Sequence, residues 1–163
     1  MQNRPELKVF VYGTLKSGYQ NHVRYCQGVV RVEDATIIGR LYDMGVGYPA
    51  LELPIEAIMG HGTRDPRADL ETLQKHTESF ECWHPLLEYG PNWGIVHGQV
   101  LTFPYPGHQL EGMDRLEGFQ PGGRCLYQRV LATARWNGQT GPVWAYVKSD
   151  LQGKRRILEG MWG

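Results

Sequence analysis

Glu117 is the residue whose type and setting best suit proton transfer. It closes a stretch with Leu110, Met113 and Leu116 at helical spacing, and Gly118-Phe119 follows it. A carboxylate at a helix C-terminus meets the negative end of the helix dipole, which disfavours the ion, and partial burial pushes its pKa in the same direction. A glutamate titrating nearer neutrality suits general acid–base work. The bland alternative is a solvated last-turn glutamate paired with Arg115 or Arg124. A second candidate lies at Tyr12-Gly13-Thr14. Tyr12 ends an apolar strand and Gly13 lets the backbone bend, so successive free N–H groups there would form a concave site for a carboxylate or oxyanion. Thr14 adds a hydroxyl donor. Tyr127 and Arg129 are two apart and share a strand face, with Tyr146 expected on the partner strand. An arginine beside tyrosines can orient a carboxylate or clamp a substrate's, and it can equally cover a barrel mouth.

These residues need elements to hold them. Leu7–Tyr12 is β-branched and aromatic and predicts a buried strand. Asn21 is a candidate N-cap for a short helix to Gln27, with Gly28 as its stop. Val29–Val32, Thr36–Asp43 and Tyr48–Leu53 predict extended segments. Asp65-Pro66 is an N-cap followed by proline at the first helical position, with Leu70 and Leu73 after it. Gly94–Phe103 predicts a strand and Pro106–Glu117 a helix stopped by Gly118. Leu126–Trp136 and Pro142–Lys148 flank Asn137-Gly138, a strong hairpin signal. Adjacent strands with few crossovers predict an α+β fold, a small mixed, mostly antiparallel β-barrel with flanking short helices. The length of 163 residues predicts a single domain over 1–163, with a helical insertion at 54–92.

Composition narrows the function classes. Lys plus Arg (17) equals Asp plus Glu (17), which argues against gathering nucleic acid or anionic membrane by bulk charge. The basic run Lys154-Arg155-Arg156 reads as a solvated helix face or tail. Met1–Glu6 is polar and Val9-Phe10-Val11 is far too short for a signal segment or a membrane span, so a cytoplasmic protein is expected. The 3 cysteines form no CxxC pair. Cys82-Trp83-His84 falls short of the roughly four converging ligands of a structural zinc site, so no metal is expected. His22, His97 and His108 show no partner pattern. Gly13-Thr14-Leu15-Lys16-Ser17-Gly18 has the residue types of a phosphate loop in the wrong order.

Taken together, these segments resemble the gamma-glutamylcyclotransferase-like superfamily. The likeness rests on Val9-Phe10-Val11-Tyr12-Gly13-Thr14-Leu15-Lys16-Ser17-Gly18 with Asn21-His22, on Gly39–Asp43 leading to Tyr48-Pro49-Ala50-Leu51, and on Val96–Val100. Met113-Asp114-Arg115-Leu116-Glu117-Gly118, Leu126–Arg129 and Val143–Val147 complete it. The resemblance implies a cavity between the Tyr12–Leu15 loop and the helix bearing Glu117. It implies Glu117 as general acid–base, and Tyr12, Gly13, Thr14 and Leu15 as the loop holding a gamma-glutamyl group. The implied chemistry needs no cofactor: the substrate's α-amine attacks its own γ-carbonyl and 5-oxoproline leaves. Gly98-Gln99-Val100-Leu101 departs from the Gly-Glu-Leu-Tyr of many relatives. That departure and the long 54–92 segment, where Trp83 and Trp93 could cap the cavity or mediate a dimer, keep open a non-catalytic binding or regulatory module. The expected partner is a small gamma-glutamyl molecule, with the protein a monomer or homodimer.

Overall fold

The computed structural model describes residues 6–79, 89–104 and 108–163. Eight strands and three α-helices are found among them. In chain order they are β1 (Glu6–Val11), α1 (Gln20–Tyr25), β2 (Arg31–Asp43), β3 (Pro49–Glu52), β4 (Gly60–His61), α2 (Pro66–Glu78), β5 (Gly94–Pro104), α3 (Gln109–Glu117), β6 (Gln128–Trp136), β7 (Gln139–Val147) and β8 (Arg155–Arg156). A single 3-10 turn covers Ile55–Ala57.

Five strands close a barrel in the order β2-β5-β1-β7-β6, with β6 returning to β2 through Thr36↔Arg135 and Ile37↔Ala134. The β1–β7 pair is parallel and the others are antiparallel, so the barrel is mixed and mostly antiparallel, as the sequence predicts. The period-2 pattern of β1 explains its place at the centre. Phe10 points into the barrel with Ile37, Val96, Val100, Val130 and Val143, while Leu7 and Val9 face outward onto the helices. The outer layer packs Leu70 and Leu73 of α2 and Leu110 and Met113 of α3 against Val9, Leu101, Phe103 and Trp144.

Several boundaries differ from the sequence expectation. The two strands expected at 29–32 and 36–43 form one strand, because β5 pairs with β2 without a break from Arg31↔Thr102 to Gly39↔Gly94. Asn21 is no N-cap: α1 starts after Tyr19 with no side-chain cap, and the Asn21 amide is used elsewhere. The basic run ends in a short strand, Arg155–Arg156, paired with Tyr42 and Asp43, in place of a helix face. Asp65 does cap α2, accepting from the N–H groups of Arg67 and Ala68. Gly118 stops α3 at φ 66°, a left-handed conformation that glycine adopts without Cβ strain. Asn137 and Gly138 turn the β6–β7 hairpin, both at positive φ. The described part of 54–92 contributes β4, which pairs with β6, as well as α2. Cys82, Trp83, His84 and Pro106 lie outside the described residues.

Candidate active site

The end of β1 supplies one wall of a cavity of about 320 Å³. After Val11 the chain leaves the sheet and turns, the Lys16 N–H donating to the Gly13 carbonyl at 3.1 Å. Glycine is needed at 13, since a Cβ there would stand 2.9 Å from the Pro49 ring. Three neighbours fix the turn. Asn21 Nδ2 donates to Thr14 Oγ1 (2.9 Å), His22 Nδ1 donates to the Leu15 carbonyl (2.8 Å), and Gln99 holds Ser17. Asn21 occupies one acceptor position of the Thr14 hydroxyl and leaves its proton available to a ligand. Among the described residues no acceptor meets the N–H groups of Thr14 and Leu15.

Helix α3 supplies the opposite wall. Glu117 is its last residue, half-buried, and lines the cavity with Leu116. Among the described residues it has no hydrogen-bond or ion-pair partner, and Arg115 and Arg124 are exposed and unpaired with it. Burial pushes its carboxyl up to about 7.

Tyr12, Tyr127 and Tyr146 complete the walls, but their hydroxyls point into the protein. Tyr12 donates to the Tyr146 carbonyl (2.6 Å) and accepts from the Leu51 N–H (3.3 Å). Tyr127 donates to the Pro49 carbonyl (2.8 Å), and Tyr146 to Asp114 Oδ1 (2.5 Å). Burial raises the pKa of all three phenols above the ordinary tyrosine value. They therefore act as neutral, rigid walls. The other polar groups on the lining are the loop amides, Thr14, Asn21, Tyr48 and Glu117.

Arg129, expected to bind substrate, is absent from the cavity lining. It is fully buried behind the wall and engages Asp69 (2.9 Å) and Asp114 (2.8 Å) between the Phe119 and Trp144 rings. Its strand neighbour Tyr127 does reach the cavity. The structure thus brings together Tyr12, Gly13, Thr14, Leu15, Glu117, Tyr127 and Tyr146, and sets Arg129 apart.

Asn21, Tyr48, Leu116 and Leu126 also line the cavity, although the sequence did not single them out as site residues. Asp69 was likewise missed. Its signal was present, since Asp69 and Leu73 are four apart and share a helix face, and an acid on an apolar face needs a buried cation. Trp93 stacks under the Arg40 guanidinium at 4.1 Å. Among the described residues no group of three or more His, Cys, Asp or Glu could hold a metal, and no helix is long and apolar enough to cross a membrane.

The family described as "Gamma-glutamyl cyclotransferase, AIG2-like" matches residues 9–79 and 67–163, which together take in both cavity walls. The chain belongs to that family. The resemblance read from the motifs is confirmed. Among curated proteins, gamma-L-glutamyl-butirosin B gamma-glutamyl cyclotransferase of Niallia circulans is 33% identical over 72 residues. That match spans 44% of this chain and 46% of the relative, so it covers under half of either protein. Among solved structures, YkqA from Bacillus subtilis is similar over 96% of this chain and 39% of its own (17% identity, TM-score 0.55). The protein PH0828 from Pyrococcus horikoshii is similar over 95% of this chain and 88% of its own (16% identity, TM-score 0.51). At these identities the structural likenesses concern the fold, which is that of the cyclotransferase family.

Proposed function

We propose that this protein releases 5-oxoproline from a gamma-glutamyl amine, amino acid or peptide, with Glu117 as general acid–base. The observation that carries this reading is an unpartnered, half-buried carboxyl that lines the same cavity as the unpaired amides of Thr14 and Leu15. The substrate's α-ammonium must lose a proton before it can attack. Glu117, poised near neutrality, takes that proton. The amine nitrogen then bonds to the γ-carbonyl carbon, and the loop amides and Thr14 stabilise the oxyanion that forms. Collapse breaks the bond to the leaving nitrogen, which receives the proton held on Glu117. The second proton of the ring nitrogen passes to the freed amine, which departs as the ammonium. Attack within one bound molecule has a large effective molarity, so the protein mainly folds the substrate and relays protons from the attacking to the leaving nitrogen.

The Gln99-Val100-Leu101 departure and the 54–92 insertion are the grounds for a non-catalytic module, and the structure bears on Gln99. In the structure it lies outside the cavity lining and clasps Ser17 through both ends of its amide, at 2.7 and 2.8 Å. Glutamine at 99 therefore removes no acid from the cavity, which supports the catalytic reading. The test is incubation with gamma-glutamyl amines, gamma-glutamyl amino acids and glutathione, with 5-oxoproline measured by mass spectrometry. Release from at least one class is expected. Silence across the panel, with ligands bound, would establish the module instead.

A further inference from the structure

The cluster behind the cavity wall has a geometry that the proposed reaction does not explain. Arg129 is wholly buried and draws its partners from three elements. Asp114 on α3 receives Nε at 2.8 Å and Nη2 at 3.2 Å, and Asp69 on α2 receives Nη2 at 2.9 Å. The Phe119 and Trp144 rings lie on the guanidinium carbon, each centroid at 4.9 Å. Two of these partners flank Glu117. Asp114 precedes it by one helical turn and Phe119 follows it by two residues. The Phe119 N–H also donates to the Asp114 carbonyl (2.9 Å), closing the helix end around Glu117. One guanidinium therefore grips α3 on both sides of the acid, and Tyr146, a cavity wall, is tied to the same Asp114 oxygen.

Asp69 aims that guanidinium from the other side. Its carboxylate accepts from the Thr63 N–H (2.9 Å) and hydroxyl (2.7 Å), which fixes its direction before Arg129 meets it. Helix α2 contributes nothing to the cavity lining; it reaches the supporting wall through this polar contact and through the apolar packing of Leu70 and Leu73.

We propose that Asp69, Arg129 and Asp114 form a positioning unit that sets the direction of the Glu117 carboxyl, and through which helix α2 acts on the site. This rests on Glu117 as the acid–base for kinetic readouts, but its physical content can be measured without substrate. Asp69→Asn keeps the shape and the Thr63 contacts while weakening the pair. Arg129→Lys keeps the charge while losing the planar fork and the ring stacking. The titratable side chains sharing the cavity with the acid are Tyr12, Tyr48, Tyr127 and Tyr146, with the Asp114–Arg129 pair behind the wall. Burial raises the Tyr12, Tyr127 and Tyr146 phenols away from the range of the carboxyl.

The test is the carbon-13 titration of Glu117 in ligand-free full-length protein, with kcat and KM measured beside it. In both variants a loosened helix end admits water, and the Glu117 midpoint falls by about half a unit or more. The turnover number is expected to fall about tenfold while KM changes less than about twofold, since misaimed proton transfer spares binding. A folded variant pair with the wild-type midpoint would overturn the proposal, whatever the activity panel gives. If Asp69→Asn fails to fold, Thr63→Val, which removes one hydrogen bond to Asp69, supplies the same comparison.

Discussion

Asp114 and Glu117 stand three residues apart on helix α3, and burial raises the carboxyl pKa of both. Their surroundings are opposite. Asp114 is met by Arg129 and by the Tyr146 hydroxyl, which oppose the effect of burial and give it a fixed place in the wall. Glu117 has no such partner among the described residues, and burial alone takes it to about 7. A buried acid with partners is architecture. A buried acid without them, opening on a cavity, is available for chemistry, and a stable protein retains such a group only where the surrounding wall holds it.

Exchanging the two roles should have the largest effect at Glu117. Glu117→Gln keeps the shape of the side chain and removes the titrating proton, so turnover should fall by about 10²–10⁴-fold, with ligand affinity within about threefold of wild type. Release of 5-oxoproline and calorimetric binding check the two halves separately. Wild-type turnover in this variant would dissolve the contrast, leaving Glu117 an ordinary last-turn glutamate.

The other side of the comparison should fail in stability. Arg129→Met leaves Asp69 and Asp114 buried with no cation, and breaking a buried pair on one side costs about 3–5 kcal/mol. Urea unfolding measures it. A loss below about 1 kcal/mol would mean that the carboxylates are reached by water and that the cluster is not a true interior pair.

How much of this was legible in the sequence differs between the two acids. The period-2 strands, the Asn137-Gly138 hairpin and Gly118 after Leu110, Met113 and Leu116 are local signals, and each has its element in the structure. Glu117 could be singled out because a helix end and an apolar context are both visible within a few residues. The Asp69–Arg129 pair was not: the apolar helix face of Asp69 calls for a buried cation, but 60 residues separate the two and nothing local says which cation it is, or that its guanidinium rests against Phe119 and Trp144. The strand face that Arg129 shares with Tyr127 points it at the substrate, and only the fold shows the buried carboxylates that take it instead. Asn21 shows the same limit in miniature: its type suits a helix cap, but Thr14 lies seven residues back and competes for the amide.

The smallest effect separates the two acids by pH. The folded-state pKa of Glu117 is raised from 4.5 to about 7, so the native state holds this proton more tightly than the unfolded chain does. Its contribution to stability is therefore full below about pH 4.5 and is lost as pH rises through about 7. The shift corresponds to about 3 kcal/mol at about 1.36 kcal/mol per unit, and partial exposure of the side chain brings the expected figure down to about 2. Glu117→Gln carries no charge at any pH and escapes this loss. It should thus exceed the wild type in stability by about 2 kcal/mol at pH 8, with the margin shrinking as the solution is acidified to pH 5. Thermal melts of the two proteins across that range measure the margin. A constant margin would show that the carboxyl ionises in the folded protein as it does in the open chain, and its wall would then be solvated like any surface.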